Sequence, residues 1–322
     1  MHEAPKGAVY AIYYPVLVAL GVPVNIVAIV ILSRGRCGLS RCITLYLVAM
    51  SASDLMVLFT AVILQRISGI YFPGSYLSLT WVCRIKTPVA YACRESSVWL
   101  TVAFTFDRFV AICCRNFKGK YCTRKTAAHV VAVIATLSFL KHIAFLFLYN
   151  PLYIADNLPW YCRLIPSYYT SPWWRAYSYF NHVTTPLLPF VLILLLNVLT
   201  VKHILTASRV RKSLRDNSLP GKGPDPEMEN RRKSIVLLFS ISGNVILLWM
   251  TYMVHYLYSR ISKTYSYSGY NDPVFILSEV GNMLLLLSCC TNTFIYTVTQ
   301  SKFRDELKTV ITYPFSQVAK CV

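Results

Sequence analysis

The sequence predicts an all-α membrane protein: a seven-transmembrane helix bundle followed by a short amphipathic eighth helix. Three observations carry this. Apolar residues fill 56% of the 322 positions and charged residues only 14%, against about 25% charged in soluble domains, so the chain cannot cover a water-facing surface. Seven apolar runs each reach the roughly 20 residues that a helix needs to cross a hydrocarbon core about 30 Å thick. The basic residues gather between alternate runs, the pattern that fixes orientation in a bilayer.

The first run, Tyr10 to Leu32, follows a nine-residue outer segment; its core is too long and its start too little basic for a cleavable leader. Arg34, Arg36 and Arg41 lead into the second, Ile43 to Leu64. The third, Val82 to Cys114, is followed by Arg115 through Lys125, and the fourth covers Thr126 to Tyr149. An aromatic loop, Asn150 to Pro172, precedes the fifth, Trp174 to Leu205. Between it and the sixth run, Ser234 to Tyr258, lies Leu214 to Asn230 (LRDNSLPGKGPDPEMEN). Its Pro, Gly and charges predict a mobile third cytoplasmic loop over 214–230. The seventh run is Val274 to Thr299, so the membrane domain covers 10–300. In the tail, 301–322, Phe303, Leu307, Val310 and Ile311 share one helical face suited to the inner membrane surface. The segments between runs one and two, three and four, and five and six, with Lys202 at the end of run five and the tail, hold 21 of the 32 Lys and Arg. That places the amino terminus outside and the carboxyl terminus in the cytoplasm, a multi-pass arrangement in the plasma membrane.

The net charge of +19 does not point to nucleic acid, because the charges sit in short clusters between spans. Basic helical turns at Arg209, Arg211 and Lys212 and at Arg231, Arg232 and Lys233 attract anionic membrane lipids or an acidic protein. Of the 11 cysteines, Cys83 and Cys162 fall on the oxidising outer side, where they either form a bridge or stay as free thiols.

Polar side chains inside spanning helices are costly and need a reason. Asn25, Asp54 and Asn292 stand alone in apolar surroundings, and Asp107-Arg108-Phe109 ends the third helix. Together with GVPVN (Gly21 to Asn25), LVAMSASD (Leu47 to Asp54), Trp81 before Cys83, Pro189, Trp249 and NTFIY (Asn292 to Tyr296), this order resembles the rhodopsin-like, or class A, G-protein-coupled receptors. The resemblance extends over nearly the whole chain. Within the family the chain looks like the orphan branch resembling probable G-protein-coupled receptor 139, whose seventh-helix motif also lacks its proline. Cys83 and Arg108 are 25 residues apart, about 37 Å of helix, which places one at each membrane face.

The resemblance implies a receptor that passes an extracellular ligand's binding to a heterotrimeric G protein by outward movement of helix six. It implies a Cys83–Cys162 disulfide and a switch made of Asp107, Arg108, Phe109, Asn292 and Tyr296. Asp54, Ser97, Ser288 and Asn292 are similar to the family's allosteric sodium site; sodium, a proton or a purely structural hydrogen-bond cluster are the readings, and no other cofactor is implied. The departures are Phe109 for a tyrosine, Thr251 and Thr293 for prolines, Asn197 for a helix-five tyrosine, and no tryptophan in helix four. Lost prolines remove defined bends.

The ligand pocket is expected among Tyr91, Arg94, Glu95, His182, Trp249, Tyr252, His255, Tyr256 and Glu279. Ala90 occupies the place of the aspartate of amine receptors, so the expected ligand is an aromatic small molecule or short peptide and not a monoamine. Arg94 lies 11 residues below Cys83, about 16 Å along the helix and near mid-membrane. It either faces the pocket and receives a ligand carboxylate or another acceptor, or pairs internally with Glu95 or Glu279. A transporter is the alternative, but it would show internal repeats and interrupted helices. The sequence carries no HExxH, phosphate loop or nucleophile–base pair that would suggest an enzyme.

Overall fold

A computed structural model of the chain describes residues 7–215, 226–262 and 267–321. Among the described residues, seven helices are long and apolar enough to cross a membrane: helix one, Ala8–Ser33; two, Arg41–Tyr71; three, Thr80–Cys113; four, Arg124–Phe147; five, Pro172–Ala207; six, Arg232–Ser259; and seven, Pro273–Thr299. Each contains most of the corresponding apolar run of the sequence. Helix five continues to Arg215 and helix six begins at Pro226; the centre of the expected third loop lies outside the described residues.

Local chemistry sets several helix ends. The Ser40 hydroxyl accepts the Ile43 N–H at the start of helix two, and the Thr123 hydroxyl the Thr126 N–H at the start of helix four. Helix seven opens on Asp272-Pro273, with Asp272 accepting the Val274 N–H. The N–H groups of Ser268 and Val274 hold the Asp272 carboxyl below the usual carboxylate range. Helices two and five each contain wider π turns, at Leu58–Ile67 and at Val183–Leu187 around Pro186. Both π turns lie in helices other than six and seven, where Thr251 and Thr293 replace the family's prolines.

The core divides by depth. An inner cluster joins Ile31, Tyr46, Met50, Phe104, Leu238, Ile241 and Tyr296; an outer one joins Tyr14, Leu58, Val98, Ile193, Trp249 and Leu285. The polar layer of Asn25, Asp54 and Asn292 lies between them along each helix. Leu247, Leu195 and Val133 are exposed on the outside of the bundle, the positions a bilayer would cover. Close approach also shapes the packing. A Cβ at Gly281 would stand 2.9 Å from Cα of Tyr252, so helices six and seven meet there backbone to backbone.

The aromatic loop is folded. Strands β1 (Tyr149–Asn150) and β4 (Arg163–Leu164) pair antiparallel, as do β2 (Tyr153–Ala155) and β3 (Leu158–Trp160). Asp156 and Asn157 form the turn with φ of 51° and 57°, a conformation these two residue types tolerate. The Cys83–Cys162 disulfide pins this loop to the outer end of helix three. The Thr80 hydroxyl donating to the Tyr161 carbonyl (2.6 Å) and the Arg84 guanidinium donating to the Tyr149 carbonyl (2.8 Å) secure it. After helix seven, Ser301–Cys321 is helical, longer than the short helix expected. Phe303 is fully buried with its ring edge-on to Tyr296 at 5.9 Å, and the Arg304 guanidinium donates to the Thr297 and Val298 carbonyls. The side chains of Ile311 and Cys321 lie outside the described residues.

Candidate functional site

Helix three runs through the middle of the bundle and meets a different function at each depth. Its outer half presents Tyr91 and Arg94 to a cavity of about 160 Å³. Helix five contributes Tyr177, Asn181, His182 and Thr185; helix six contributes Trp249 and Tyr252; Leu148, Tyr149 and Leu164 form the roof. The walls are largely aromatic. The Trp249 indole N–H donates to the Ser288 hydroxyl at 3.2 Å, fixing the ring between helices six and seven.

Arg94 is the charged group of this cavity. Its guanidinium carbon lies 5.5 Å from the Tyr91 ring centre, and its Nε is buried without a hydrogen-bond partner among the described residues. Both carboxylates that could have paired with it are engaged elsewhere. Glu95 Oε1 meets the Lys141 ammonium at 2.6 Å and Oε2 lies 3.3 Å from His142 Nδ1. Adjacent helical residues point about 100° apart, so Glu95 faces helices four and five while Arg94 faces the cavity. Glu279 on helix seven pairs with Arg66 on helix two at 3.2 Å. Of the two readings of Arg94, the internal pair does not form. A second polar atom, Asn181 Oδ1, is likewise buried without a partner.

Lys141 uses all three ammonium protons, on Glu95, Thr184 and Thr185. The His142, Tyr91 and Phe145 rings lie nearly parallel in mutual contact, His142 6.0 Å from Tyr91 and 5.4 Å from Phe145, and Tyr91 5.0 Å from Phe145. The cluster forms the wall behind the cavity and ties helices three, four and five together.

At mid-depth the Asp54 carboxylate accepts the Ser97 hydroxyl at 2.5 Å and the Asn292 amide at 2.7 Å. Asn25 donates to the Cys289 and Gly21 carbonyls, joining helix one to helix seven. Ser288 does not reach Asp54: its hydroxyl turns back to the Leu285 carbonyl at 2.6 Å, as helical serines readily do. Of the expected cation donors, Asp54, Ser97 and Asn292 are brought together and Ser288 is not. Asn292 Oδ1 is buried with no partner.

At the inner end, both Nε and a terminal nitrogen of Arg108 donate to Asp107 Oδ2, and the other terminal nitrogen reaches the Ser234 hydroxyl of helix six at 3.3 Å. The second carboxylate oxygen of Asp107 accepts the Cys42 thiol at 3.0 Å. Phe109 is half-buried and lies 6.4 Å from Phe106, ring to ring. The Tyr296 hydroxyl is buried without a partner.

Four expected pocket residues do not line the cavity. Glu95 and Glu279 are held in ion pairs. Tyr256 stacks at 4.3 Å on His182, a lining residue. His255 Nε2 faces the Ser259 and Tyr267 hydroxyls at 3.2 and 3.3 Å. The sequence reading missed Lys141, His142, Arg66, Asn181 and Cys42. The signal was available for Lys141, a cation inside the fourth apolar run, which has to find a partner in the membrane.

Residues 24–296 match the family model described as 7 transmembrane receptor (rhodopsin family). The chain is similar to the probable G-protein coupled receptor 142 of Mus musculus, with 29% identity over 143 residues, 43% of this chain and 36% of that protein. It is 22% identical over 311 residues to the FMRFamide receptor of Drosophila melanogaster, covering 88% of this chain and 50% of the relative. A third similarity, 29% over 132 residues, is to the Sex peptide receptor of the same fly, covering 38% and 30%. The chain thus spans at most about half the length of these relatives.

Proposed function

Because the chain belongs to the rhodopsin family of seven-transmembrane receptors, we propose that it carries an extracellular ligand's binding to a heterotrimeric G protein, the ligand placing an acceptor group on Arg94. The observation that carries this reading is the Arg94 guanidinium, buried beside the cavity with Nε unpartnered while every neighbouring carboxylate is taken. A buried donor without an acceptor costs about 1–3 kcal/mol, more when charged, and a ligand that supplies the acceptor removes this cost. A carboxylate suits the guanidinium fork. The rings of Tyr91, Tyr177, His182, Trp249 and Tyr252 suit an aromatic group beside it. Two of the relatives are named for peptides, FMRFamide and sex peptide, which favours a short peptide; a cavity of about 160 Å³ admits one end of it and not the whole. The aromatic lining of the cavity equally favours an aromatic small molecule. The transporter alternative is left without support in a receptor family.

Signalling then requires a bistable contact between the cavity and the cytoplasm. Trp249 touches the cavity and bonds helix seven through Ser288; Asn244 bonds Thr291 at 2.8 Å one turn further in. At the inner end the Arg108–Ser234 bond closes helix six against helix three. We assign the switch to Asp107, Arg108, Phe109, Asn292 and Tyr296, with helix six moving outward once Arg108 is released. A sodium ion at mid-depth would be held by Asp54, Ser97 and the unpartnered Asn292 oxygen, hard oxygen donors that suit it. It would supply the positive charge that a mid-membrane carboxylate lacks.

The test is second-messenger output in cells expressing the chain, screened against aromatic acids and short peptides. An active compound should lose at least tenfold in potency on Arg94→Gln at equal surface expression. Unchanged potency would remove Arg94 from the pocket.

A further inference from the structure

Asp107 is fully buried, and its two carboxylate oxygens face different partners. Oδ2 takes both donors from Arg108. Oδ1 takes the thiol of Cys42, which sits in the first turn of helix two and is itself buried. A third contact comes from the loop between helices three and four, where the Cys122 thiol lies 3.5 Å from the Asp107 carbonyl oxygen. Burial and the neighbouring Asp107 push the Cys122 thiol up to about 12, which keeps its proton on. Two thiols from two elements therefore hold Asp107, Cys42 at its carboxylate and Cys122 at its backbone carbonyl, and neither belongs to the switch assigned above.

We propose that Cys42 is a positioning residue of the cytoplasmic switch: its thiol fills the carboxylate oxygen of Asp107 that Arg108 leaves open, and so holds the resting pair in place. The inference rests on the reading of Asp107 and Arg108 as that switch. An oxygen of a buried carboxylate left without a donor destabilises the state that buries it. When helix six carries Ser234 away from Arg108 and Arg108 turns outward, water reaches the inner ends of helices two, three and six and can solvate Asp107 instead. The Cys42 bond thus acts on the resting state alone, and only such a differential contact shifts a two-state equilibrium. Cysteine suits this boundary because a thiol is cheap to bury among apolar groups and still donates weakly.

The experiment measures ligand-free second-messenger output of the full chain at matched surface expression. Cys42→Ala should raise basal output about fivefold, which is about 1 kcal/mol at 1.4 kcal/mol per tenfold. Cys42→Ser keeps a donor of similar size and should return to the parent level, a rescue that a merely structural role would not give. Asp107→Asn is the control for the switch and should raise output on its own. Output from Cys42→Ala equal to the parent, with Asp107→Asn raised, overturns the role of Cys42 and leaves the switch intact. A flat Asp107→Asn overturns the switch, and the clamp with it. Should Cys42→Ala not reach the surface, N-ethylmaleimide labelling of native Cys42 decides. Labelling should be several-fold faster in Asp107→Asn than in the parent, and equal rates overturn the proposal.

Discussion

Replacing Lys141 with Met tests the polar cluster behind the cavity. The ammonium makes three bonds, at 2.6 Å to Glu95 and 2.8 Å to each of Thr184 and Thr185, and the paired side chains are only 11% and 5% exposed. Screening by solvent is small at that burial, so the loss should resemble that of other broken buried pairs, about 3–5 kcal/mol, because Glu95 is left charged and alone. The lower end of that range, about 3 kcal/mol, is the expected loss. At roughly 2–4 °C per kcal/mol, the unfolding midpoint of the solubilised chain should fall by about 6–12 °C, followed by tryptophan fluorescence at one scan rate. Removing both charges in Lys141→Met with Glu95→Gln should recover most of it, since an uncharged pair leaves no buried ion. Two single losses below about 1 kcal/mol that simply add would refute the pairing of helices three and four through these residues.

Other expectations are as direct. Gly281→Ala puts a methyl 2.9 Å from Cα of Tyr252 and should cost about 1–3 kcal/mol by overpacking, read as a lower midpoint in the same assay. Reducing the Cys83–Cys162 bridge, which spans 79 positions, should cost about 4–5 kcal/mol in chain-entropy terms, and Cys83→Ser should show the same fall without reductant. Only the thiolate reacts with a maleimide, and the Cys122 thiol is pushed up to about 12. Labelling of Cys122, followed by mass spectrometry, should therefore climb about tenfold per pH unit from 8 to 10; levelling off near 9 would show an ordinary thiol.

The seven helices were legible because the membrane imposes a length on each apolar run, whereas the Asp54–Asn292 and Asp107–Arg108 contacts were legible only through the family resemblance of the motifs that hold them. Partner choice was less legible. Arg94 and Glu95 are neighbours in sequence, but the helical rotation between them sends one to the cavity and the other to Lys141. Depth misled as well: His255 and Tyr256 sit on helix six near Tyr252, yet one faces Tyr267 and the other backs His182. The two hairpins left only the Asp156-Asn157 pair as a trace, without the glycine that marks most such turns. The π turns of helices two and five left no readable sign beyond Pro186.

Nucleotide exchange on a panel of heterotrimeric G proteins, driven by the purified full chain without ligand, bears most directly on the cytoplasmic switch. Asp107→Asn should quicken exchange several-fold over the parent for at least one G protein, and adding Arg108→Ala should bring it back to the rate without receptor. Exchange that is equal for the parent and both variants would mean that the bonds from Arg108 to Asp107 and Ser234 hold no signalling state closed.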